Sequence, residues 1–258
     1  MAAPLWNHNF HYHDLLLSMA PSPCRAALDI GCGDGALVGK LTRRAERVIG
    51  IDTSAEMIER ASTDLKARRT CDDAETSFIH GDFLTHPFAN ERFDFITCVA
   101  TIHHMDFRAA VERMKSLLQP SGTIAILGLA RTSGTRDFLY DAAGFLTTRM
   151  MRLRRDYFDP GAPIADPMMT FIDVERAASE LLPGATFRRL VLFRYLLVWR
   201  SPEGIEYRAP SCRVALCLRH TREAGKPSGT LSLAHATRFC RSTQFGWHGL
   251  AIACPWRW

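Results

Sequence analysis

The sequence predicts an α/β protein organised around a mostly parallel β-sheet. Short apolar runs alternate with amphipathic, helix-length runs from residue 25 to residue 129. The first apolar run, Ala27-Leu28-Asp29-Ile30, leads directly into Gly31-Cys32-Gly33-Asp34-Gly35, a strand-to-turn passage in which bare backbone comes close to a ligand. The spacing calls for right-handed βαβ crossovers, and those require a parallel sheet.

The elements follow in order. His13 to Ala20 reads as a short leading helix through Leu15, Leu16, Leu17 and Met19. Arg25 to Ile30 is the first strand, and Ala36 to Ala45 its crossover helix, apolar at Leu37, Val38 and Leu41. Arg47 to Ile51 is the second strand. Thr53-Ser54-Ala55-Glu56 has capping-box spacing and opens a helix with Met57, Ile58, Ala61 and Leu65 on one face. Ser77 to His80 is a short third strand. Phe93 to Ala100 is a fourth, apolar enough to be covered on both faces. Asp106 caps a helix through Leu118, Gln119 to Gly122 is a turn, and Thr123 to Leu129 is a fifth buried strand. The rhythm then breaks. Arg136 to Tyr157 reads as an extra amphipathic helix, followed by a loop with Pro160, Pro163 and Pro167. A helix from Phe171 to Leu182 starts at Thr170, with Asp173 three residues on. It leads to two adjacent strands, Phe187 to Leu192 and Tyr195 to Arg200, suited to antiparallel pairing at a sheet edge.

Composition narrows the function. The chain has 258 residues, 47% of them hydrophobic, enough for one sizeable core. Met1 to Asn9 lacks a charged region followed by an apolar run, so no secretory signal is expected. The longest apolar runs, such as Thr123 to Ala130, are too short to span a bilayer. A cytoplasmic protein with reduced thiols and no membrane association is therefore expected. The net charge of +5 misleads: residues 208–258 hold eight basic side chains against the single acid Glu223, a net +7, which leaves −2 for residues 1–207. The near-neutral body gives no nucleic-acid signal.

Domain organisation follows the same shift. Residues 1–200 form the expected domain, with 131–170 inserted as a candidate substrate cap. Residues 201–258 form a basic, irregular C-terminal tail that loses helical periodicity and gains Cys212, Cys217, Cys240, Cys254, Trp247, Trp256 and Trp258. Every methionine lies before residue 170. The tail is expected to stand outside the fold, as a segment from a shifted reading frame would. Its Cys212-x4-Cys217-x2-His220 spacing fits no common zinc finger, and no metal site is expected.

The glycine loop alone is ambiguous. Gly31-Cys32-Gly33-Asp34-Gly35-Ala36 also fits the G-x-G-x-x-A dinucleotide fingerprint. Three further stretches complete a pattern. Val48-Ile49-Gly50-Ile51-Asp52 ends the second strand on an acid, whose carboxylate offers two acceptor oxygens to a ribose diol. Gly81-Asp82-Phe83 follows the third strand, and Phe93-Asp94-Phe95-Ile96-Thr97-Cys98-Val99-Ala100-Thr101-Ile102-His103-His104 forms and leaves the fourth.

In this order and at this spacing, residues 9 to 200 resemble the class I S-adenosylmethionine-dependent methyltransferases. Leu117 to Thr123 resembles the family's approach to its fifth strand, although Ser121 stands where glycine is commoner. The resemblance implies a Rossmann-like, doubly wound sheet of seven strands, mostly parallel, with an antiparallel last strand. It implies S-adenosyl-L-methionine as cofactor, a ligand of positive charge that suits the acids Asp29 and Asp34 beside the loop better than a pyrophosphate would. The implied cofactor contacts are Asp29, Gly31, Cys32, Gly33, Gly35, Asp52, Thr53, Met57, Gly81, Asp82, Phe83, Val99 and Ala100, with Asp82 accepting from the adenine amino group. Asp52 and Asp82 also fit cap or turn roles, and Met57 fits core packing equally well. Cys32 reads as a loop filler, because the neighbouring acids raise a thiol pKa.

Methyl transfer from a sulfonium is an in-line displacement that needs alignment and a dry site. An oxygen or nitrogen acceptor also needs a base, and His103 or His104 at the mouth of the expected pocket is a candidate. His8, His11 and His13 with Tyr12 either line the acceptor site or lie on the surface. The insert supplies Phe138, Leu139, Tyr140, Phe145, Tyr157 and Phe158 to grip an apolar acceptor or to pack its own helix, while its arginines, Arg149, Arg152, Arg154 and Arg155, read as a solvated face. The expected partner is a small organic acceptor. A nicotinamide-dependent oxidoreductase and a non-catalytic nucleoside-binding protein are the competing readings.

Overall fold

The computed structural model describes residues 5–68, 74–89, 91–133, 135–158, 161 and 165–203. The chain divides into two units, Met1–Cys212 and Arg213–Trp258, and every described residue belongs to the first. The expected tail beyond residue 203, with its cysteines and tryptophans, lies outside the described residues. So do Pro160, Pro163 and the side chains of Phe138 and Leu139.

The chain opens with β1 (Leu5–Trp6), a 3-10 turn at Phe10–Tyr12 and α1 (His13–Leu17). Next come β2 (Ala26–Ile30), α2 (Val38–Leu41), β3 (Arg47–Asp52), α3 (Ala55–Arg68), β4 (Glu75–His80) and β5 (Phe93–Val99). A 3-10 turn at Ile102–His104 precedes α4 (Phe107–Leu117) and β6 (Leu118–Gly128). The remainder is α5 (Thr135–Arg152), β7 (Asp156–Tyr157), α6 (Phe171–Leu181), β8 (Thr186–Leu190) and β9 (Arg194–Arg200).

The described residues form a seven-stranded sheet in the order β4-β3-β2-β5-β6-β9-β8. The strands from β4 to β6 pair in parallel, whereas β9 runs antiparallel to both β6 and β8. The chain winds outward from β2 to β4, then returns to the other side of β2 to lay down β5. That reversal leaves a crevice at the C-terminal ends of β2 and β5, where open α/β sheets bind ligands. Burial on both faces explains the continuous apolar runs. Leu28, Ile30, Ile96 and Ile124 pack on one face with α4 and α6 residues such as Met114 and Val174. Ala27, Val48, Phe95 and Ala125 pack on the other with Leu16, Val38 and Leu41.

Several boundaries differ from the sequence reading, each for a local reason. Helix α2 is a single turn because its flanks use i→i−3 bonds (Lys40 N to Leu37 O, 2.9 Å; Arg44 N to Leu41 O, 2.8 Å), the tighter 3-10 pattern. The cap of α3 is Ser54, whose Oγ accepts from Met57 N at 3.3 Å; Asp52 Oδ1 takes Ser54 N first and shifts the helix start by one residue. Glu56, freed from a capping box, pairs instead with Arg60. Strand β6 begins at Leu118 because the expected turn bulges out inside the ladder, between the Phe93–Leu118 and Phe95–Thr123 pairs. Residues 156 and 157 leave the expected long helix to pair in parallel with β1. The caps Asp106 and Thr170 form as read, the latter as a full capping box with Asp173.

Ser121 sits at the tip of the bulge with φ +63°, a left-handed conformation that a side chain disfavours. Ser121→Gly is expected to stabilise the fold by about 0.5–1 kcal/mol. The readout is a raised urea midpoint at unchanged m-value; an unchanged or lowered midpoint would show that the conformation costs nothing here.

Candidate active site

A cleft of about 450 Å³ opens at the C-terminal ends of β2, β3 and β5. Gly31 and Gly33 line its floor. Gly31 has φ +68°, and a Cβ there would lie 2.1 Å from Thr101 Oγ1, so only glycine lets the loop pass beneath the turn after β5. A Cβ on Gly33 would meet nothing within 4 Å, which leaves bare backbone facing open space. Gly31 N and Cys32 N both donate to Ile51 O, at 2.8 and 3.1 Å, and so join the loop to β3.

Asp52 ends β3 and organises the wall. Its Oδ2 accepts from Gly33 N at 2.9 Å and its Oδ1 from Ser54 N at 2.8 Å. Each oxygen keeps a lone pair for a further donor. Thr53 and Met57 stand beside it on the cleft, with Met57 almost fully buried. Gly81, Asp82 and Phe83 form the next section. Asp82 Oδ1 accepts from Leu84 N at 2.8 Å, which shapes the turn. Arg113 holds the same loop from outside through Phe83 O (2.6 Å) and His86 O. Val99 and Ala100 complete the wall, Ala100 at φ +51°.

Asp29 lies at the bottom of the cleft, 2% exposed, with Thr97 Oγ1 donating to its Oδ1 at 2.8 Å. Burial pushes its carboxyl pKa up to about 7, the Thr97 bond opposes this, and the charges of Asp52 and Asp34 add to the rise. Burial likewise drives the Cys32 thiol far up, and its sulfur sits where a Cβ on Gly50 would be 2.8 Å away. Cys32 is therefore a packing residue at the rim of the cleft rather than a nucleophile.

Twelve of the thirteen residues read from the sequence as cofactor contacts line the cleft; Gly35 does not. Its backbone, at φ +75°, packs against α3 and β4, where a Cβ would lie 2.9 Å from the Phe78 ring. The two candidate bases separate. His104 is exposed and lines the cleft, whereas His103 does not line it. The Nδ1 of His103 is buried without a partner among the described residues. Burial, with His104 and Arg194, lowers the His103 pKa to about 4 against a backbone hydrogen bond with Ala165, so the ring is neutral near pH 7.

The opposite wall was read only in part. Asn7, Asn9, Phe10 and His13 line the cleft from the N-terminal segment. Of the histidines suspected there, only His13 reaches it. It is 3% exposed, and burial, with Lys40 secondarily, lowers its pKa to about 3. His8 instead bonds Thr148 of α5 at 3.1 Å and stands edge-on to Trp6 and Tyr157. A second cavity, of about 590 Å³, lies at the other end of the strands. Of its acids, Asp94 is already engaged by Arg25 N and Ala26 N, at 2.8 and 2.9 Å, and the cavity holds none of the thirteen expected cofactor contacts.

Comparison with known proteins agrees with this geometry. Residues 28–126 match a family described as "Methyltransferase domain". An uncharacterised methyltransferase of Mycobacterium tuberculosis is 34% identical over 199 residues, covering 76% of this chain and 98% of its own length. A demethylmenaquinone methyltransferase of Roseiflexus is 34% identical over 115 residues, 43% of this chain and 46% of its own. The crystal structure of the N-methyltransferase NodS from Bradyrhizobium japonicum, in complex with S-adenosyl-L-homocysteine, shares the fold with a TM-score of 0.50 at 22% identity, over 75% of this chain and 87% of its own.

Asp29 generates a pH prediction. Its folded pKa is raised above the unfolded value, so its contribution to stability is fully present below about pH 4 and is lost as pH rises through about 7. Denaturation of the ligand-free protein is expected to show an Asp29 contribution that falls between about pH 4 and about pH 7 and levels off above, and Asp29→Asn is expected to flatten that fall. A wild-type and variant slope that coincide would mean Asp29 is already ionised in the fold.

Proposed function

Because this chain belongs to the class I S-adenosylmethionine-dependent methyltransferases, we propose that its methyl acceptor is a small organic molecule, bound between the cofactor and the N-terminal wall of the cleft. The observation that carries this reading is the wall itself. Asn7, Asn9, Phe10 and His13 line the same cleft as the glycine loop and His104. The N-terminal segment is tied down by distant residues: Asn7 Nδ2 donates to Phe158 O at 3.3 Å, Phe158 N to Trp6 O at 2.9 Å, and Tyr12 Oη to Val191 O at 2.8 Å. A wall held in this way suits a compact acceptor better than an extended polymer. The relative named as a demethylmenaquinone methyltransferase also supports a small organic acceptor.

The residues fit the cofactor by chemistry. The glycine backbone leaves room, Asp52 offers free lone pairs to a diol, and the acids Asp29, Asp34 and Asp52 suit a cationic ligand. When bound, S-adenosylmethionine supplies an activated methyl group on its sulfonium. In our reading Asp52 accepts from the ribose and Asp82 from the adenine amino group, with Met57 and Phe83 along the base. The backbone of Gly31, Gly33, Val99 and Ala100 borders the amino-acid end, and Asp29 takes up its positive charge. The 131–170 insert caps the acceptor. His104, on the cleft and solvated, accepts the acceptor's proton, and neutral His103, with ring centroids 4.2 Å apart, orients it. A cytoplasmic location completes the reading, supported by the buried free thiols Cys24, Cys32 and Cys98. Among the described residues no helix is long and apolar enough to cross a membrane.

Three outcomes test this. Asp52→Ala is expected to weaken S-adenosylhomocysteine binding about thirtyfold or more, the loss of charged hydrogen bonds, while circular dichroism stays native. In a screen of phenol, amine and carboxylate acceptors with labelled cofactor, label is expected to pass to at least one small molecule and not to RNA or protein. With that acceptor, His104→Ala is expected to lower kcat about a hundredfold and His103→Ala far less. Equal losses in both variants would remove His104 as the base, and label found only in macromolecules would sink the small-acceptor proposal.

A further inference from the structure

Arg194, the first residue of β9, is enclosed in the fold with 7% of its surface exposed. Among the described residues no carboxylate pairs with it. Its Nε–H and an Nη2–H both donate to the single Oδ1 of Asn9, at 3.2 and 2.9 Å, and Nη1 donates to Leu192 O at 3.3 Å. That Nε/Nη2 edge is the fork that a carboxylate fills with two oxygens. Here one neutral oxygen spans it and leaves the charge uncompensated, a costly arrangement for a buried guanidinium. Burial accordingly lowers the Arg194 pKa to about 10, against the opposing influence of Tyr12 and Tyr157.

The fork adjoins the cleft. Asn9, whose Oδ1 accepts from the guanidinium, lines the cleft, so Arg194 reaches the ligand space through Asn9 and does not line it itself. A second observation points the same way. His13 also lines the cleft, is 3% exposed, and carries a buried Nδ1 with no partner among the described residues. Phe10, between them in sequence, stacks on Phe158 at 5.8 Å and makes the surroundings apolar. The backbone is strained to hold this arrangement: Leu192 and Phe193, just before Arg194, both have φ +61°, which non-glycine residues adopt at a cost and often near functional sites.

We propose that Arg194 and Asn9 form a carboxylate-recognition site, and that the methyl acceptor is an apolar molecule bearing a carboxylate, which displaces the Asn9 oxygen from the fork. This rests on the small-acceptor reading above and names its substrate class. The cofactor's own α-carboxylate shares the chemistry, so the test separates the two sources.

The probes are benzoate and its uncharged match benzamide, titrated calorimetrically into the full-length protein, unloaded and loaded with S-adenosylhomocysteine. Wild type is expected to favour benzoate by about tenfold. Arg194→Met is expected to lose that preference, Arg194→Lys to keep part of it, and Asn9→Ala to strengthen benzoate binding by clearing the fork. S-adenosylhomocysteine is expected to bind wild type and Arg194→Met alike. Equal binding of the two probes by wild type, or a preference that survives in Arg194→Met, would overturn the proposal. Loss of S-adenosylhomocysteine binding by folded Arg194→Met would also overturn it, by giving the guanidinium to the cofactor's carboxylate. Should Arg194→Met not fold, Asn9→Ala decides, because an unchanged or weaker benzoate preference contradicts a displaced placeholder. Failure of wild type to bind S-adenosylhomocysteine would strike the cofactor reading alone, since the probes are also titrated on unloaded protein.

Discussion

The cleft depends on the carboxylate of Asp52. One oxygen takes the Gly33 amide of the glycine loop, the other takes the Ser54 amide at the start of α3, and its backbone carbonyl takes Gly81 N at 2.9 Å. A single residue at the end of β3 thus joins three segments that come from separate parts of the sequence. Each bond to the ionised side chain is charge-assisted and short, and so stronger than a neutral one. Because both oxygens are engaged from the protein side, the carboxylate is held in place before any ligand arrives. Its remaining lone pairs therefore point from a fixed position, the kind of preorganisation that lowers the cost of binding.

The rest of the site is built around this fixed wall with opposite electrostatic character. Asp29, Asp34 and Asp52 concentrate negative charge under the glycine loop, and burial makes the deepest of them reluctant to ionise. A cationic ligand would relieve that reluctance. The facing wall is different: His13 is kept neutral by burial, and Asn9 of that wall accepts from the buried cation Arg194. The cleft is thus acidic beneath the glycine loop and free of acids along the N-terminal segment Asn7, Asn9, Phe10 and His13.

How far the sequence could be read depends on how local each feature is. The caps Asp106 and Thr170 are decided within four residues, and both form as expected. Strand β5 was plain because burial on both faces demands an unbroken apolar run. Glycines 31 and 33 were legible as ligand-facing, but Gly35 was not separable from them, since only the approach of Phe78 from β4 shows that it serves packing. Residues 156 and 157 carry a helical pattern and yet form a strand, because the partner they pair with lies at the other end of the domain, in β1. His103 and His104 are adjacent and chemically identical in sequence. The 3-10 turn at 102–104 turns one to the cleft and buries a ring nitrogen of the other.

The sequence by itself determined the α/β architecture and marked the motif residues that line the glycine-loop side of the cleft. Both follow from periodicity and from motifs in which neighbouring residues act together. Tertiary structure alone decided which N-terminal residues line the cleft. Asn7, Asn9, Phe10 and His13 carry no motif, and Arg194 falls between the two strands expected at 187–192 and 195–200. Their meaning comes from a contact between residues 185 positions apart, Arg194 on Asn9. Hydrogen bonds of that span leave no periodic trace, because the chain pays for them with loop closure rather than with local pattern.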